Sequence, residues 1–174
     1  MISVQAALDA LFALVQKPNV ETVDLTKAMG RVLARPIKAS RDQPPFDAAA
    51  MDGYAIAQPA AKRGDSYQVI GEAAAGRRFE GDLTPDTAVR IFTGAPVPAG
   101  TSAIIIQENA IRIADRIELS EDPNAQSHIR PAGNDFKTGS CLDAPKRLNA
   151  ADIALLASMN MTQIPVCKRP TIAL

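Results

Sequence analysis

The chain has 174 residues, enough for one large domain or two small ones. Apolar residues make up 47%, which sustains a core and excludes wholesale disorder. Nineteen Lys and Arg balance nineteen Asp and Glu, so the chain has no general attraction to nucleic acid or to an anionic membrane. From the N-terminus, Val4, Ala7, Leu8, Leu11, Leu14 and Val15 keep helical spacing behind Ser3 as N-cap, and Pro18 stops the run. That helix carries one apolar stripe in need of a partner surface. A second helical piece is expected around Thr26 to Leu33, interrupted by Gly30, before Pro36 turns the chain to extended structure. From Tyr67 to Leu119 the character changes. Tyr67–Ile70, Ala88–Phe92, Ala103–Ile106 and Ile111–Ile113 read as short strands between Gly and Pro, with a hairpin turn around Asp115. Asn149 with Asp152 forms a partial capping box for a last helix with Ile153, Leu156 and Ala157 on its buried stripe. Gln163–Cys167 reads as an edge strand because Pro165 cannot donate a ladder hydrogen bond.

The expected fold class is α+β: an elongated, helix-containing discontinuous domain (residues 1–40 and 133–168) with an inserted, mostly antiparallel β domain (41–132). The apolar end at 169–174 reads as the first strand of a further, truncated domain.

Three stretches concentrate groups able to do chemistry. Pro44 to Ala55 places Asp47 and Asp52 among Phe46, Met51 and Tyr54, and a carboxylate among apolar side chains is costly unless paired. There Asp52 either caps the turn or accepts hydrogen bonds, holds a hydrated cation or orients a ligand hydroxyl. In Arg90 to Pro98, Thr93 offers a hydroxyl and a backbone N–H suited to an anion, and Gly94 admits close approach; the alternative is a strand ending in a Pro-stiffened turn. In Ile129 to Phe136, Arg130 either grips a carboxylate or phosphate or pairs with Asp135. Gly71–Gly76 only superficially resembles a phosphate loop, and its small residues suit close packing. Cys141 and Cys167 form neither a close pair nor a metal spacing and read as free thiols in a reduced, cytoplasmic setting. His128, without a Cys or His companion, reads as a surface residue. No Ser/His/Asp arrangement stands out.

Taken in order, Pro45-Phe46-Asp47, Ala50-Met51-Asp52-Gly53-Tyr54-Ala55, Gly71-Glu72, Arg90-Ile91 with Thr93-Gly94-Ala95-Pro96-Val97-Pro98, Gln107-Glu108 and Arg130-Pro131-Ala132-Gly133 with Asp135-Phe136 resemble the molybdopterin molybdenumtransferase family, MoeA in bacteria and the gephyrin E domain in animals. The resemblance covers only the N-terminal and linker region of that family. It implies insertion of molybdate into adenylylated molybdopterin with release of AMP, assisted by magnesium, in the last step of molybdenum cofactor synthesis. It implies an elongated homodimer in the cytoplasm, with the molybdopterin adenylyltransferase of the same pathway as a partner and neither nucleic acid nor membrane. Carried over by motif, Asp52, Thr93 and Asp135 are the expected catalytic residues, and Asp47, Gly94 and Arg130 the expected ligand-binding ones, with no metal ligand assigned. The family commonly has Asn-Ser where Ala48-Ala49 stands and often an acidic residue at Asn134, which leaves any contact beside Asp47 open. On this reading the chain alone is inactive, because the opposite wall of the cleft belongs to a domain beyond Leu174. The alternative is a dimerisation and scaffold module without chemistry.

Overall fold

The computed structural model describes residues 2–14, 18–58, 60–123 and 127–171. The chain divides into two units, residues 1–40 with 139–174, and residues 41–138 between them. The first opens with α1 (Val4–Ala13), whose Ser3 hydroxyl accepts from the Ala6 N–H at 3.2 Å. The stripe exists but is uncovered among the described residues: Leu11 is 60% and Leu14 78% exposed. Next come β1 (Val20–Asp24), a 3-10 turn at Leu25–Lys27, β2 (Val32–Leu33) and β3 (Ile37–Lys38). The second helix expected at 26–33 is reduced to that single turn. Gly30 at φ +72° leaves the helical region and donates to the Leu148 carbonyl, and β-branched Val32 enters a strand.

The second unit holds β4 (Ala48–Ala49), β5 (Gly53–Ile56), β6 (Ser66–Ala73), β7 (Thr87–Ile91), β8 (Ala103–Ile106), β9 (Ala110–Ile113), β10 (Arg116–Leu119) and β11 (Ile129–Arg130). Six of them form one sheet in the order β8-β5-β7-β6-β10-β9, antiparallel except for the β6–β7 pair, which is bulged between Val69 and Gly71. β4 and β11 pair as a separate ribbon. Every residue of β5 is buried. Ala55 packs with Val89, Ile91 and Ile104, while Tyr54 and Ile56 pack with Ala88, Ile105 and Ile117. Because successive side chains leave a strand on opposite faces, both faces of this sheet are covered at its centre. That double burial is why β8 reads as an unbroken apolar run rather than an alternating one. The β9–β10 hairpin turns at Ala114–Asp115, with Ala114 at φ +55°.

Residues 133–138 lie with this second unit. Gln43 bridges Phe136, and one Asp42 carboxylate oxygen accepts the Thr138 N–H at 2.7 Å and the Thr138 hydroxyl at 2.8 Å. These two bonds hold the Asp42 carboxyl below its ordinary range and tie the unit's two ends together.

The first unit closes with β12 (Cys141–Leu142), β13 (Lys146–Arg147), α2 (Ala150–Ser158) and β14 (Gln163–Cys167). β12 pairs β3, and the remaining strands form a sheet in the order β1-β14-β2-β13. The capping box of α2 is complete: Asn149 and Asp152 each accept the other's backbone N–H at 3.0 Å. Asp152 also accepts from Lys146 Nζ at 2.6 Å and is buried. The inward face of α2 is therefore Asp152, Leu156 and Met159, at i, i+4 and i+7, and Ala157 is exposed. β14 is an interior strand, not the edge its proline suggests. The Pro165 carbonyl accepts from the Ala34 N–H, so the missing donor faces β2, where the ladder is only one residue pair long. The fold is a mixed α+β arrangement, mostly strands with two helices. Both cysteines are free thiols. Val15 and the apolar residues 172–174 lie outside the described residues.

Candidate functional site

The Pro44–Ala55 stretch is shaped by main-chain bonds to the two other stretches of interest. The Gln43–Pro44 bond is cis and Pro44 is buried. Ala49 donates to the Ala95 carbonyl at 3.0 Å and accepts from Gly94 at 2.8 Å, which lays the Thr93–Pro96 turn against β4. Gly94 sits at φ +81°, a left-handed position natural to glycine, and a Cβ there would meet open space. On the other side of β4, Arg130 pairs with Ala48 in register. Three segments far apart in sequence thus converge around a cleft of about 470 Å³ lined by Pro44, Phe46, Ala50, Thr93, Gly94 and Arg130 among others.

Asp52 stands beside this cleft. Its Oδ1 accepts both the Thr93 N–H at 2.8 Å and the Thr93 hydroxyl at 2.7 Å. Those two bonds, with the Arg90 charge nearby, hold the Asp52 carboxyl below the usual carboxylate range. Thr93 therefore does not present free donors to an external anion. Both are engaged by a carboxylate of its own unit, and the hydroxyl is left as an acceptor. Asp52 Oδ2 takes no hydrogen bond from the described residues.

Arg130 and Asp135 form an ion pair through Nη2 and Oδ1, both groups being partly exposed. Of the five guanidinium N–H donors one is used here, so Arg130 can pair with Asp135 and still meet an anion in the cleft. The Asp135 main chain is fixed by its own N–H on the Gln43 carbonyl at 2.8 Å. Asp47 turns away from this pair. Its Oδ1 accepts from the Ala132 N–H at 2.8 Å, its carbonyl accepts from Val97 at 2.9 Å, and it lines a neighbouring 440 Å³ pocket instead. The structure thus brings Thr93, Gly94 and Arg130 to one cleft, attaches Asp52 and Asp135 to it through their partners, and uses Asp47 as a tie between two loops. Ala48 and Ala49 are buried under the same turn.

Three glycines of this unit are set by close packing. Gly53 is a strand residue, and a Cβ on it would lie 1.9 Å from the Ile105 carbonyl oxygen, so it is required by the close approach of β8. Gly71 and Gly81 both make room for the Phe79 ring, not for a phosphate.

Arg90 and Gln107 are neighbours of Asp52 to which motif reading assigned no role. Arg90 lies over the rings of Tyr54 at 5.0 Å and Phe92 at 4.7 Å, and donates to Gln107 Oε1 at 2.7 Å and to the Gly53 carbonyl at 3.3 Å. The available signal was a single charge inside the otherwise buried run Ala88-Val89-Arg90-Ile91.

The MoeA N-terminal region model (domain I and II) matches residues 2–160. The molybdopterin molybdenumtransferase of Nostoc sp. is 35% identical over 184 residues, covering 100% of this chain and 42% of that protein. The enzyme of the same name from Haemophilus influenzae is 35% identical over 146 residues, 83% of this chain and 36% of its own length. Among solved structures, a molybdopterin biosynthesis MoeA protein from Pyrococcus horikoshii superposes with a TM-score of 0.86 at 32% identity, over 98% of this chain and 47% of that one. The chain spans less than half the length of these relatives. It belongs to the MoeA N-terminal region family.

Proposed function

We propose that this chain is the N-terminal part of a molybdopterin molybdenumtransferase, which inserts molybdate into adenylylated molybdopterin and releases AMP. The observation that carries this reading is the pairing of an ionised carboxylate with a partly unsatisfied guanidinium at one cleft, Asp52 on Thr93 and Arg130 on Asp135. Molybdate and the AMP phosphate are both anions. Arg130, with spare N–H donors, is the group suited to attract one of them. Asp52 repels anions and is suited to a ligand hydroxyl or a cation. Thr93 fixes the Asp52 carboxylate and holds it ionised, so that a free oxygen stays available toward the ligand. Gly94 leaves the backbone open beside it.

Magnesium fits this arrangement at one point. It binds hard oxygens, commonly one or two carboxylates with waters and substrate phosphates, and Asp52 Oδ2 is such an oxygen. Among the described residues no cluster of three or more acidic, His or Cys groups could hold a metal, so Asp52 would be a single ligand from this region. When bound, the ion would offset phosphate charge.

The discontinuous first unit is read as the linker and dimerisation domain, the second as the inserted β domain, and residues 169–174 as the opening of the next domain. The uncovered apolar stripe of α1 supports a homodimer, and equally a scaffold role of the same surface. A cytoplasmic setting and contact with the molybdopterin adenylyltransferase complete the reading. No helix among the described residues is long and apolar enough to cross a membrane. The test compares molybdate-dependent AMP release from adenylylated molybdopterin by the 174-residue chain and by a full-length protein carrying it. The full-length protein is expected to release AMP and the chain alone none. Release by the chain alone would contradict a site completed by a further domain.

A further inference from the structure

We propose that Arg90 is the positioning residue of the cleft, holding the Asp52 main chain from one side so that its carboxylate reaches Thr93 on the other. The assignment rests on reading the cleft as part of an insertase site, but the geometry behind it does not depend on that activity. Arg90 occupies β7 directly opposite Tyr54 of β5, two residues beyond Asp52. Its guanidinium forks: Nη1 reaches the Gly53 carbonyl at 3.3 Å, next to Asp52, and Nη2 reaches Gln107 Oε1 at 2.7 Å. The Gln107 backbone N–H in turn donates to the Asp52 carbonyl at 3.0 Å. The Asp52 side chain then closes the ring by taking both donors of Thr93, three residues beyond Arg90 on the same strand end. Arg90, Gln107, Asp52 and Thr93 thus form a closed circuit across three segments that meet only in the folded unit.

The side-chain chemistry suits this task. The planar guanidinium is laid over two aromatic rings, Tyr54 and Phe92, which limits its rotation without consuming a donor. Tyr54 is buried and Phe92 half-buried, so the platform is part of the packed sheet and not a mobile surface group. A lysine would keep the charge but could not bridge Gly53 and Gln107 from one planar head, because its ammonium is a single point on a flexible stem. The circuit therefore separates two roles that a simple charge effect would merge. If Arg90 acted only as a positive charge near Asp52, Lys would replace it; as a fork, it is not replaceable.

The test is amide hydrogen exchange on the 15N-labelled chain, comparing the native sequence with Arg90→Lys and Gln107→Ala. The Thr93 N–H reports the Asp52 bond directly, and the Ala55 and Val89 amides report the sheet around it. Both variants are expected to speed Thr93 exchange by about tenfold or more, the scale of losing one charge-assisted hydrogen bond, while the sheet amides hold their protection. Gln107 is exposed, so its variant breaks the circuit without removing the stacked guanidinium, and it serves if Arg90→Lys fails to fold. Unchanged Thr93 protection in Gln107→Ala, or Thr93 and sheet amides accelerating together, would overturn the assignment. The readout is independent of insertion activity, so a failure of the insertase reading would leave this result standing, and the reverse.

Discussion

Replacing Gly53 by Ala tests the packing that sets the position of Asp52. The added Cβ would lie 1.9 Å from the Ile105 carbonyl oxygen, 2.8 Å from its carbon and 3.1 Å from Ile106 Cα. All three are backbone atoms of the neighbouring strand, so no side chain can swing aside. Ordinary contact requires β5 and β8 to separate by about 1.5 Å at a fully buried position. Over-packing a core costs about 1–3 kcal/mol, and a clash confined to backbone places this substitution near about 3 kcal/mol. Gly94→Ala supplies the comparison, since its Cβ meets open space and only the left-handed backbone at φ +81° opposes it, a cost of about 1–2 kcal/mol. In urea titrations followed by circular dichroism, a slope of about 2 kcal/mol per molar converts these into midpoint losses of about 1.5 M for Gly53→Ala and about 0.5–1 M for Gly94→Ala. A Gly53→Ala midpoint equal to the native one, or a larger loss for Gly94→Ala, would refute the close approach of the two strands.

Asp152→Ala removes a buried carboxylate that caps α2 and pairs with Lys146, and is expected to cost about 2–3 kcal/mol at neutral pH. Because the folded-state pKa of Asp152 is lowered, chiefly by the Lys146 bond, that contribution is present above the ordinary carboxylate range and is lost as pH falls through the lowered value. The urea-midpoint gap between native chain and variant should therefore narrow on acidification below the ordinary Asp range, and a gap that widens there would contradict the pairing. Burial, followed by the Asp65 charge, pushes the Tyr67 hydroxyl up to about 12. Tyrosinate absorbance should show a component titrating near that value that disappears in Tyr67→Phe. Here the neutral form is the one favoured by folding, so this contribution to stability is full below the ordinary tyrosine value and is lost as pH rises through about 12.

In the second unit β7 and β8 were legible as buried, largely aliphatic runs and β6 and the β9–β10 hairpin as short apolar stretches between Gly and Pro, whereas β5, with glycine and alanine among its four residues, and the two-residue β4 and β11 carried no strand signal. The hairpin at Asp115 and the capping box at Asn149–Asp152 were legible because both are local, within four residues. What sequence could not reveal depends on separation. Asp52 and Thr93 are 41 residues apart, and Asp47 and Ala132 are 85 apart, so nothing local indicated that Thr93's donors face a carboxylate or that Asp47 acts as a tie. The single charge within β7 marked Arg90 as unusual, but its partners, Gly53 on the neighbouring strand β5 and Gln107 in the 3-10 turn after β8, lie 37 and 17 residues away in sequence. Pro165 misled because the rule assumes a full ladder on both sides, whereas β2 pairs with β14 at one residue only. The helix expected at 26–33 failed because propensity there is weak against the sheet that claims Val32 and Leu33.

Asp52, held ionised by Thr93, is proposed to belong to the reacting part of a molybdate-insertion site. The most direct test of that role is the rate of molybdate-dependent AMP release by a full-length protein carrying Asp52→Asn, measured beside its circular dichroism and melting temperature. The rate should fall by about a hundredfold, the scale for removing one preorganised polar group from a reaction centre, with the fold retained. An undiminished rate in a folded Asp52→Asn protein would contradict that role.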